Sequence, residues 1–291
     1  MIYKLCHGAP CWCGSRKSYS DCHESFDRKI SALKKQGFKV PPKKIIKNEE
    51  QLKGIRESCK INIEVLDRVS EKVVPGISTG EINELVHELT TGMGAIPAPL
   101  NYNGFPYSVC TSVNDQVCHG FPSKDVILKD GDIINVDCST IYKGYFSDSS
   151  RMFTVGKVSP EAKKLVDVTK ECIYKGLEKV IPYRPLGDMS QAVQNHAVKS
   201  GYSVVREIGG HGVGLKFHEE PFVSYVIPKG TGMVMAPGMV FTIEPMINMG
   251  KPDVYIDGNN DWEVYTMDGS LSAQWEIMVL VTEEGNEVLC Y

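Results

Sequence analysis

The sequence lacks any long hydrophobic run. Its longest clean apolar stretch, Ile277 to Val281, is far shorter than the roughly 20 residues that a membrane-spanning helix needs. Residues 1–10 also lack the apolar core of a secretory signal, so we expect a cytoplasmic protein with no membrane partner. The ten cysteines are then expected to be reduced thiols rather than a disulfide framework.

A large net charge is also missing, but the value of −4 hides an asymmetry. Residues 1–47 carry 11 Lys or Arg against 3 Asp or Glu, a net +8, and residues 48–291 carry −12. A basic arm on an acidic body favours an anionic partner such as nucleic acid, and a solvated tail is the other interpretation. We predict a module at 1–37, a Pro-rich linker at 38–47 and one large domain at 48–291.

An internal repeat organises that domain. Gly131 to Asp137 is echoed by Gly238 to Glu244, and Glu71 to Pro75 by Glu178 to Pro182, each 107 residues later. The periodicity runs helix, helix, strands and then repeats, which predicts a duplicated α+β domain. Two strand carboxylates would then face each other across a pseudo-twofold axis.

Helix starts follow from capping signals. Asn48-x-x-Gln51 and Ser78-x-x-Glu81 are capping-box patterns, and Ser159-Pro160 places proline at a permitted first helical position. Asp188-x-x-Gln191 is interpreted as the start of the fourth helix.

The acidic strand residues predict a metal centre. Asp137 and Asp148 lie on either side of Tyr142-Lys143-Gly144, so a hairpin centred there would make them cross-strand neighbours about 5 Å apart. Glu244 comes from the repeat, Glu276 from a β-prone stretch and His211 from a glycine-rich one. Two Asp, two Glu and one His suit two divalent cations such as Mn, Fe, Co or Zn. The polar residues two positions before three of these ligands are expected to support them by hydrogen bonds: Asn135, Thr242 and Gln274.

The same residues carry a family resemblance. Five segments resemble the metal-binding motifs of methionine aminopeptidases over roughly residues 46–291: Asn135-Val136-Asp137, Ser147 to Ser150, Gly210 to Gly214, Phe241 to Met246 and Gln274-Trp275-Glu276. The resemblance implies the pita-bread fold. It also implies that Asp148 and Glu276 bridge both metals, that Asp137 completes one site, and that His211 and Glu244 complete the other.

The resemblance further implies the chemistry, removal of the initiator methionine from new proteins with a preference for a small second residue. His119 and His218 match catalytic histidines of the family, and Glu244 would shuttle the proton. The 33 residues from His211 to Glu244 leave no room for the type II insertion, so type I is favoured. Prolidase and aminopeptidase P relatives usually carry a large additional N-terminal domain that we do not find in this sequence.

Both histidines also belong to the substrate pocket that the resemblance implies. Its other positions are Tyr102, Phe105, Cys110, Phe217 and Trp262. Pro99 departs from the Cys of many relatives, so the pattern is less complete at that corner.

The N-terminal module contains a second metal set. Cys11, Cys13, Cys22 and His23 form a Cys₃His combination, which typically closes a structural zinc site. The pattern is similar to the SEC-C motif over about residues 10–24, whereas Cys6 and His7 are not expected to be ligands. With the basic arm, this module is expected to dock on the ribosome.

Two functions are compatible with these patterns. The first is a monomeric dimetal hydrolase. The second is a catalytically inactive pita-bread binding protein that is tethered through its zinc module. The complete ligand set favours the enzyme.

Overall fold

The computed structural model describes residues 8–291, in which helices and strands alternate in two similar blocks. The five α-helices are α1 (Glu24–Lys35), α2 (Glu49–Ser70), α3 (Thr79–Gly92), α4 (Pro160–Leu177) and α5 (Leu186–Lys199), with 3-10 turns at Lys43–Ile45 and Tyr102–Gly104. The strands of the first block are β1 (Ile96–Pro97), β2 (Cys110–Val113), β3 (Gln116–Cys118), β4 (Ile133–Tyr142) and β5 (Tyr145–Thr154). Those of the second are β6 (Ser203–Val204), β7 (Gly210–Gly212), β8 (Glu219–Val223), β9 (Val240–Ile243), β10 (Met246–Asn248), β11 (Val254–Ile256), β12 (Val264–Thr266), β13 (Ser272–Gln274), β14 (Ile277–Val281) and β15 (Asn286–Cys290).

Three of the four predicted helix starts are confirmed. Asn48 and Ser78 each form both hydrogen bonds of a capping box, and Ser159 caps α4 through its side chain. The prediction for α5 is wrong, because this helix begins at Leu186 after Pro185. Asp188 lies in its first turn, where it accepts the backbone N–H of Gly230.

The strands form two larger sheets and two small ones. In the first block the order is β1-β4-β2 with β5 paired to β4, and in the second it is β15-β14-β9-β7-β8. The three-stranded sheets are β13-β10-β6 and β11-β12-β3.

The predicted duplication is visible in the register of these elements. Helices α3 and α5 span equivalent residues 107 positions apart, and the isolated bridges Ser78↔Ile127 and Pro185↔Val234 keep the same offset. The halves meet where Ser150 and Glu276 exchange backbone hydrogen bonds of 3.3 and 3.2 Å. This reciprocal pair lies at the pseudo-twofold axis.

The core separates the helices from the functional face. Along β4, Ile134, Val136 and Cys138 pack in a cluster with Val65 and Leu66 of α2. Because side chains alternate along a strand, the residues between them point to the opposite face. The carboxylate of Asp137 therefore faces away from the helices. No helix in the range 8–291 is long and apolar enough to cross a membrane.

The N-terminal region packs on the body more closely than its composition suggests. Helix α1 was not predicted, and its Phe26 is buried in one cluster with Ile45 and Ile46. Residues 38–47, predicted as a linker, bridge to the body at Lys39↔Met233 and Ile46↔Met239. Cys6 and His7 lie outside the described residues.

Candidate metal centre and cleft

The five predicted metal ligands line one cleft of about 380 Å³. Asp137 lies on β4, Asp148 on β5 and His211 on β7, whereas Glu244 follows β9 directly and Glu276 lies between β13 and β14. Both halves of the duplicated body therefore contribute carboxylates to a common space.

The two aspartates are diagonal rather than direct cross-strand neighbours. Lys143 and Gly144 form a two-residue turn with φ of 50° and 83°, so Asp137 pairs with Ser150 and Asp148 with Ser139. The predicted direct pairing of Asp137 with Asp148 is therefore wrong, because the hairpin centre lies one residue later than that pairing requires. The aspartates still share a face, because positions 148 and 150 point the same way.

The tightest part of the site contains three of the predicted ligands. Atoms of Asp148, His211 and Glu276 lie within 4.8 Å of one another. His211 Nε2 is 3.5 Å from Asp148 Oδ2 and 3.6 Å from Glu244 Oε1. Its Nδ1 donates to the carbonyl of Gly212 at 3.0 Å, which aims Nε2 at the carboxylates.

Because these carboxylates are buried, keeping them ionised without a nearby cation costs free energy. Desolvation and the charge of Asp148 hold the pKa values of Asp137 and Glu276 well above the usual range, and burial raises the pKa of Glu244 to about 7. Burial lowers the pKa of His211, but hydrogen bonding to Asp148 and nearby charge raise it to about 9. Protons therefore compete with cations for these atoms.

The donor set fits divalent cations. Asp137 Oδ1 is buried without a hydrogen-bond partner, and such an oxygen is stabilised by a cation. Carboxylate oxygens with one imidazole suit Mn, Fe, Co or Zn, and four carboxylates carry enough charge for two ions.

Two of the three predicted supporting residues contact a predicted ligand. Thr242 Oγ1 donates to Glu244 Oε1 at 2.6 Å, and Gln274 Nε2 donates to Glu244 Oε2 at 3.1 Å. Asn135 does not: its amide donates to Ser150 Oγ and to the carbonyl of Gln274. It braces the junction between the halves instead.

Two further supporting groups were missed from the sequence. Ser139 donates to Asp148 Oδ1 at 2.7 Å, and the hydroxyl of Tyr225 accepts the backbone N–H of Glu244 at 2.6 Å. Ser139 lies two residues after Asp137 on the same strand face, so the alternation could have revealed it. Tyr225 comes from a loop, and no sequence pattern connects it to Glu244.

Both candidate catalytic histidines reach the cleft. The ring of His218 lies 4.0 Å from that of His211 and stacks on Tyr102 at 5.1 Å. His119 follows β3 with φ of 57° and packs edge-on against Trp262 at 5.8 Å. Burial lowers both pKa values, that of His218 to about 4. The two rings are therefore neutral near pH 7 and can donate hydrogen bonds.

An apolar pocket adjoins the predicted metal ligands. The predicted aromatic residues and Cys110 all line the same cleft. Tyr102 contacts Phe217 at 4.8 Å, and Phe105 contacts Trp262 at 5.2 Å, both edge-to-face. Glu207, Ile208 and the exposed Phe222 also line the cleft and were not predicted. Aromatic edges beside a thiol suit a flexible thioether side chain.

The second metal set is also assembled. Atoms of Cys11, Cys13, Cys22 and His23 lie within 4.8 Å of one another, with His23 Nδ1 3.1 Å from the sulfurs of Cys11 and Cys22. Tetrahedral zinc with Zn–S of about 2.3 Å separates its ligands by just under 4 Å, so the set fits this ion. Burial raises the pKa of Cys11 to about 11, and a bound metal would favour its thiolate.

Comparison with known families gives two matches. The model of metallopeptidase family M24 matches residues 53–283, and the SEC-C motif matches residues 9–25. Together they take in both metal sets.

Individual relatives agree. The chain is 42% identical over 284 residues to a methionine aminopeptidase of Chlamydia trachomatis, a match covering 96% of this chain and 97% of the relative. It is 46% identical over 250 residues to a methionine aminopeptidase of Buchnera aphidicola, with coverage of 85% and 94%. The crystal structure of methionine aminopeptidase from Rickettsia prowazekii superposes with a TM-score of 0.83 at 44% identity, covering 84% of this chain and 99% of that one.

Proposed function

This chain belongs to metallopeptidase family M24, among the methionine aminopeptidases, and from this premise we propose that its cleft removes the N-terminal methionine from new proteins. The predicted pita-bread fold and hydrolase class are confirmed. The observation that carries the proposal is the convergence of five ligand side chains beside an apolar aromatic pocket.

Divalent metal ions belong to the active site of this family. We propose two ions of the Mn, Fe, Co or Zn type, with Asp148 and Glu276 shared between them. Asp137 would complete one site, and His211 with Glu244 the other. Bound there, the ions supply Lewis acidity that polarises a carbonyl and lowers the pKa of water.

The side chains of the cleft perform the remaining steps. Glu244, held by Thr242 and Gln274, takes a proton from the attacking water and returns it to the departing amine. Neutral His218 donates to the developing oxyanion. His119 holds the substrate near its amine and scissile bond.

The aromatic pocket provides the selectivity. Tyr102, Phe105, Phe217, Trp262 and Cys110 enclose the methionine side chain, whose thioether packs against ring edges. A preference for a small second residue is also proposed, and it rests on the resemblance to the family alone.

Release of free methionine from Met-Ala-Ser tests the proposal. Asp148→Asn is expected to lower kcat/KM by about 1000-fold or more, because it removes a shared ligand, while circular dichroism stays unchanged. Asp125→Asn, an exposed acid of the same half, is the control and should behave as wild type. Near-normal turnover of Asp148→Asn at saturating Mn²⁺, or of the wild type in excess chelator, would contradict the assignment. A wild type that releases no methionine even with Mn²⁺ added would instead favour the catalytically inactive binding protein.

We also propose that Cys11, Cys13, Cys22 and His23 hold one structural zinc, and that the module docks on the ribosome. Its exposed surface carries Lys17, Lys34 and Lys35, which suit a phosphate backbone. Charge reversal of these lysines is expected to reduce co-sedimentation with ribosomes at low salt, with Lys175→Glu on α4 as control. Unchanged co-sedimentation would argue against docking.

A cytoplasmic monomer is consistent with these features. The nine cysteines of the described part are free thiols, which suits a reducing compartment. We propose that the protein acts as a monomer, because the five predicted ligands and the pocket residues of a single chain already line one cleft.

A further inference from the structure

A buried ion pair outside the metal ligands joins the N-terminal region to the cleft. Lys47 Nζ lies 2.7 Å from Glu219 Oε2, and the two side chains are 0% and 8% exposed. Two charges withdrawn from water are retained only where their hydrogen bonds are well satisfied. The partners of this pair therefore indicate what it does.

Glu219 uses its other oxygen to hold a loop of the cleft. Its Oε1 accepts the backbone N–H groups of Leu215 at 2.7 Å and Lys216 at 3.0 Å. Glu219 is the first residue of β8, so its carboxylate closes a short loop that ends with Phe217 and His218. Both of these residues line the cleft.

The backbone at Lys47 is fixed by a hydrogen bond to the body, and its neighbour Asn48 is bonded to the N-terminal module. The backbone N–H of Lys47 donates to the carbonyl of Gly238 at 2.8 Å. The next residue, Asn48, caps α2. Its side-chain amide donates to the carbonyl of Cys13 in the N-terminal module at 2.9 Å. The backbone at Lys47 and Asn48 is therefore fixed against the body and the module, and the ammonium group of Lys47 reaches the loop through Glu219.

We infer that Lys47 and Glu219 form a positioning pair that sets the place of His218 and Phe217 relative to the metal ligands. Lys47 orients the carboxylate, and the carboxylate orients the amides of residues 215 and 216. Only the expected fall in kcat rests on the proposed function. The contacts of Glu219 with the loop do not depend on that function.

A neighbouring ion pair provides a matched control. Lys44 Nζ lies 2.9 Å from Glu220 Oε2, but these side chains are 71% and 55% exposed. The two pairs join the same segment to the same strand with the same chemistry. They differ in burial and in the loop amides that only Glu219 accepts.

The test compares Lys47→Met with Lys44→Met. For Lys47→Met we expect kcat for Met-Ala-Ser to fall on the order of 10- to 100-fold, because small displacements of reacting groups cost this much. The affinity for Mn²⁺, measured by calorimetry, should stay within about twofold, because Lys47 contacts none of the five ligands. Amide hydrogen exchange at Leu215 and Lys216 should accelerate. Lys44→Met should match the wild type in all three measurements.

Several results would overturn the inference: unchanged kcat or unchanged exchange in Lys47→Met, or equal losses in both lysine variants. If Lys47→Met does not fold, Glu219→Gln decides, because it keeps an acceptor for the loop amides and removes only the charge. A kcat within twofold of wild type in Glu219→Gln would then refute the pair. A wild type that releases no methionine would refute the proposed function, whereas the exchange data would still judge the pair.

Discussion

The two halves of the duplicated body share a backbone register but place their acids differently. Asp137 and Glu244 are equivalent by the 107-residue repeat. Ser150 lies opposite Asp137, and Glu276 lies opposite Glu244 in the register of the second half, so Ser150 and Glu276 are equivalent. Two residues earlier in each half, Asp148 is equivalent to Gln274. The first half therefore carries its second acid two residues before the position used by the other half.

Duplication therefore accounts for the shared strand positions, and later divergence accounts for which of these positions carries the acid. The shared strands present two same-face positions on each return strand, at 148 and 150 or at 274 and 276. One position in each half carries the acid, and the other carries a hydrogen-bonding residue. Gln274 supports Glu244, whereas Ser150 accepts from Asn135 at the junction. A fully symmetric copy would place its acids in register, without this division between ligand and support.

The largest expected difference between the two halves is the effect on Mn²⁺ affinity of replacing the residue beside each acid. Gln274→Leu is expected to weaken Mn²⁺ binding about 10- to 100-fold, as is typical for loss of a residue that orients a ligand. Ser150→Ala, on the equivalent strand of the first half, should change the affinity by less than threefold, because its hydroxyl contacts no ligand. Calorimetric titration with Mn²⁺ checks both, and equal effects would contradict the division between the halves.

Lowering the pH tests both halves together. Burial raises the pKa of Asp137 from the first half and those of Glu244 and Glu276 from the second. A carboxyl with a raised folded-state pKa stabilises the metal-free fold at low pH, and this stability is lost as pH rises through that pKa. For Glu244 the window runs from about 4.5, its unfolded value, to about 7.

Mn²⁺ must displace these protons, so its stabilising effect should grow with pH. We expect the difference in Tm between Mn²⁺-loaded and chelated protein to be larger at pH 7.5 than at pH 5.5. Differential scanning calorimetry at matched ionic strength measures it. The Asp148→Asn variant is the control, because it should show a smaller difference at both pH values. A constant difference in the wild type would indicate that the cluster holds no protons.

The smallest expected effect concerns the equivalent helices α3 and α5. Ser78 caps α3 through a full capping box, whereas Pro185 precedes α5 without a side-chain cap. Ser78→Ala should lower the free energy of unfolding by about 1–2 kcal/mol, and Pro185→Ala by less. Urea denaturation gives both values. A larger loss in Pro185→Ala would show that the rigid φ of proline matters more than the cap.

Much of the site could be predicted because its signals are local. The repeat located Glu244 from Asp137, and the spacing of Cys11, Cys13, Cys22 and His23 marked the second metal set. The roles of these residues remain predictions. The hairpin centre was predicted one residue too early, because a two-residue turn with positive φ at Lys143 and Gly144 is as compatible with the sequence as its neighbours.

Other features left no local signal. Helix α1 has few apolar residues, and only packing of Phe26 against Ile45 and Ile46 shows why it is stable. Tyr225 reaches Glu244 across 19 residues, and Lys47 reaches Glu219 across 172. Contacts of this kind have no periodicity, since they depend on how separate elements come together.

The sequence by itself determined the duplicated α+β plan, the family and the residue types able to bind metals, because periodicity, capping and motif spacing are properties of short segments. Only the tertiary structure decided which acids lie diagonal to each other, which polar residues orient Glu244, and how the N-terminal segment reaches the cleft. The physical reason is that hydrogen-bond geometry and desolvation depend on distances between residues far apart in the chain, and those distances exist only after the halves have packed.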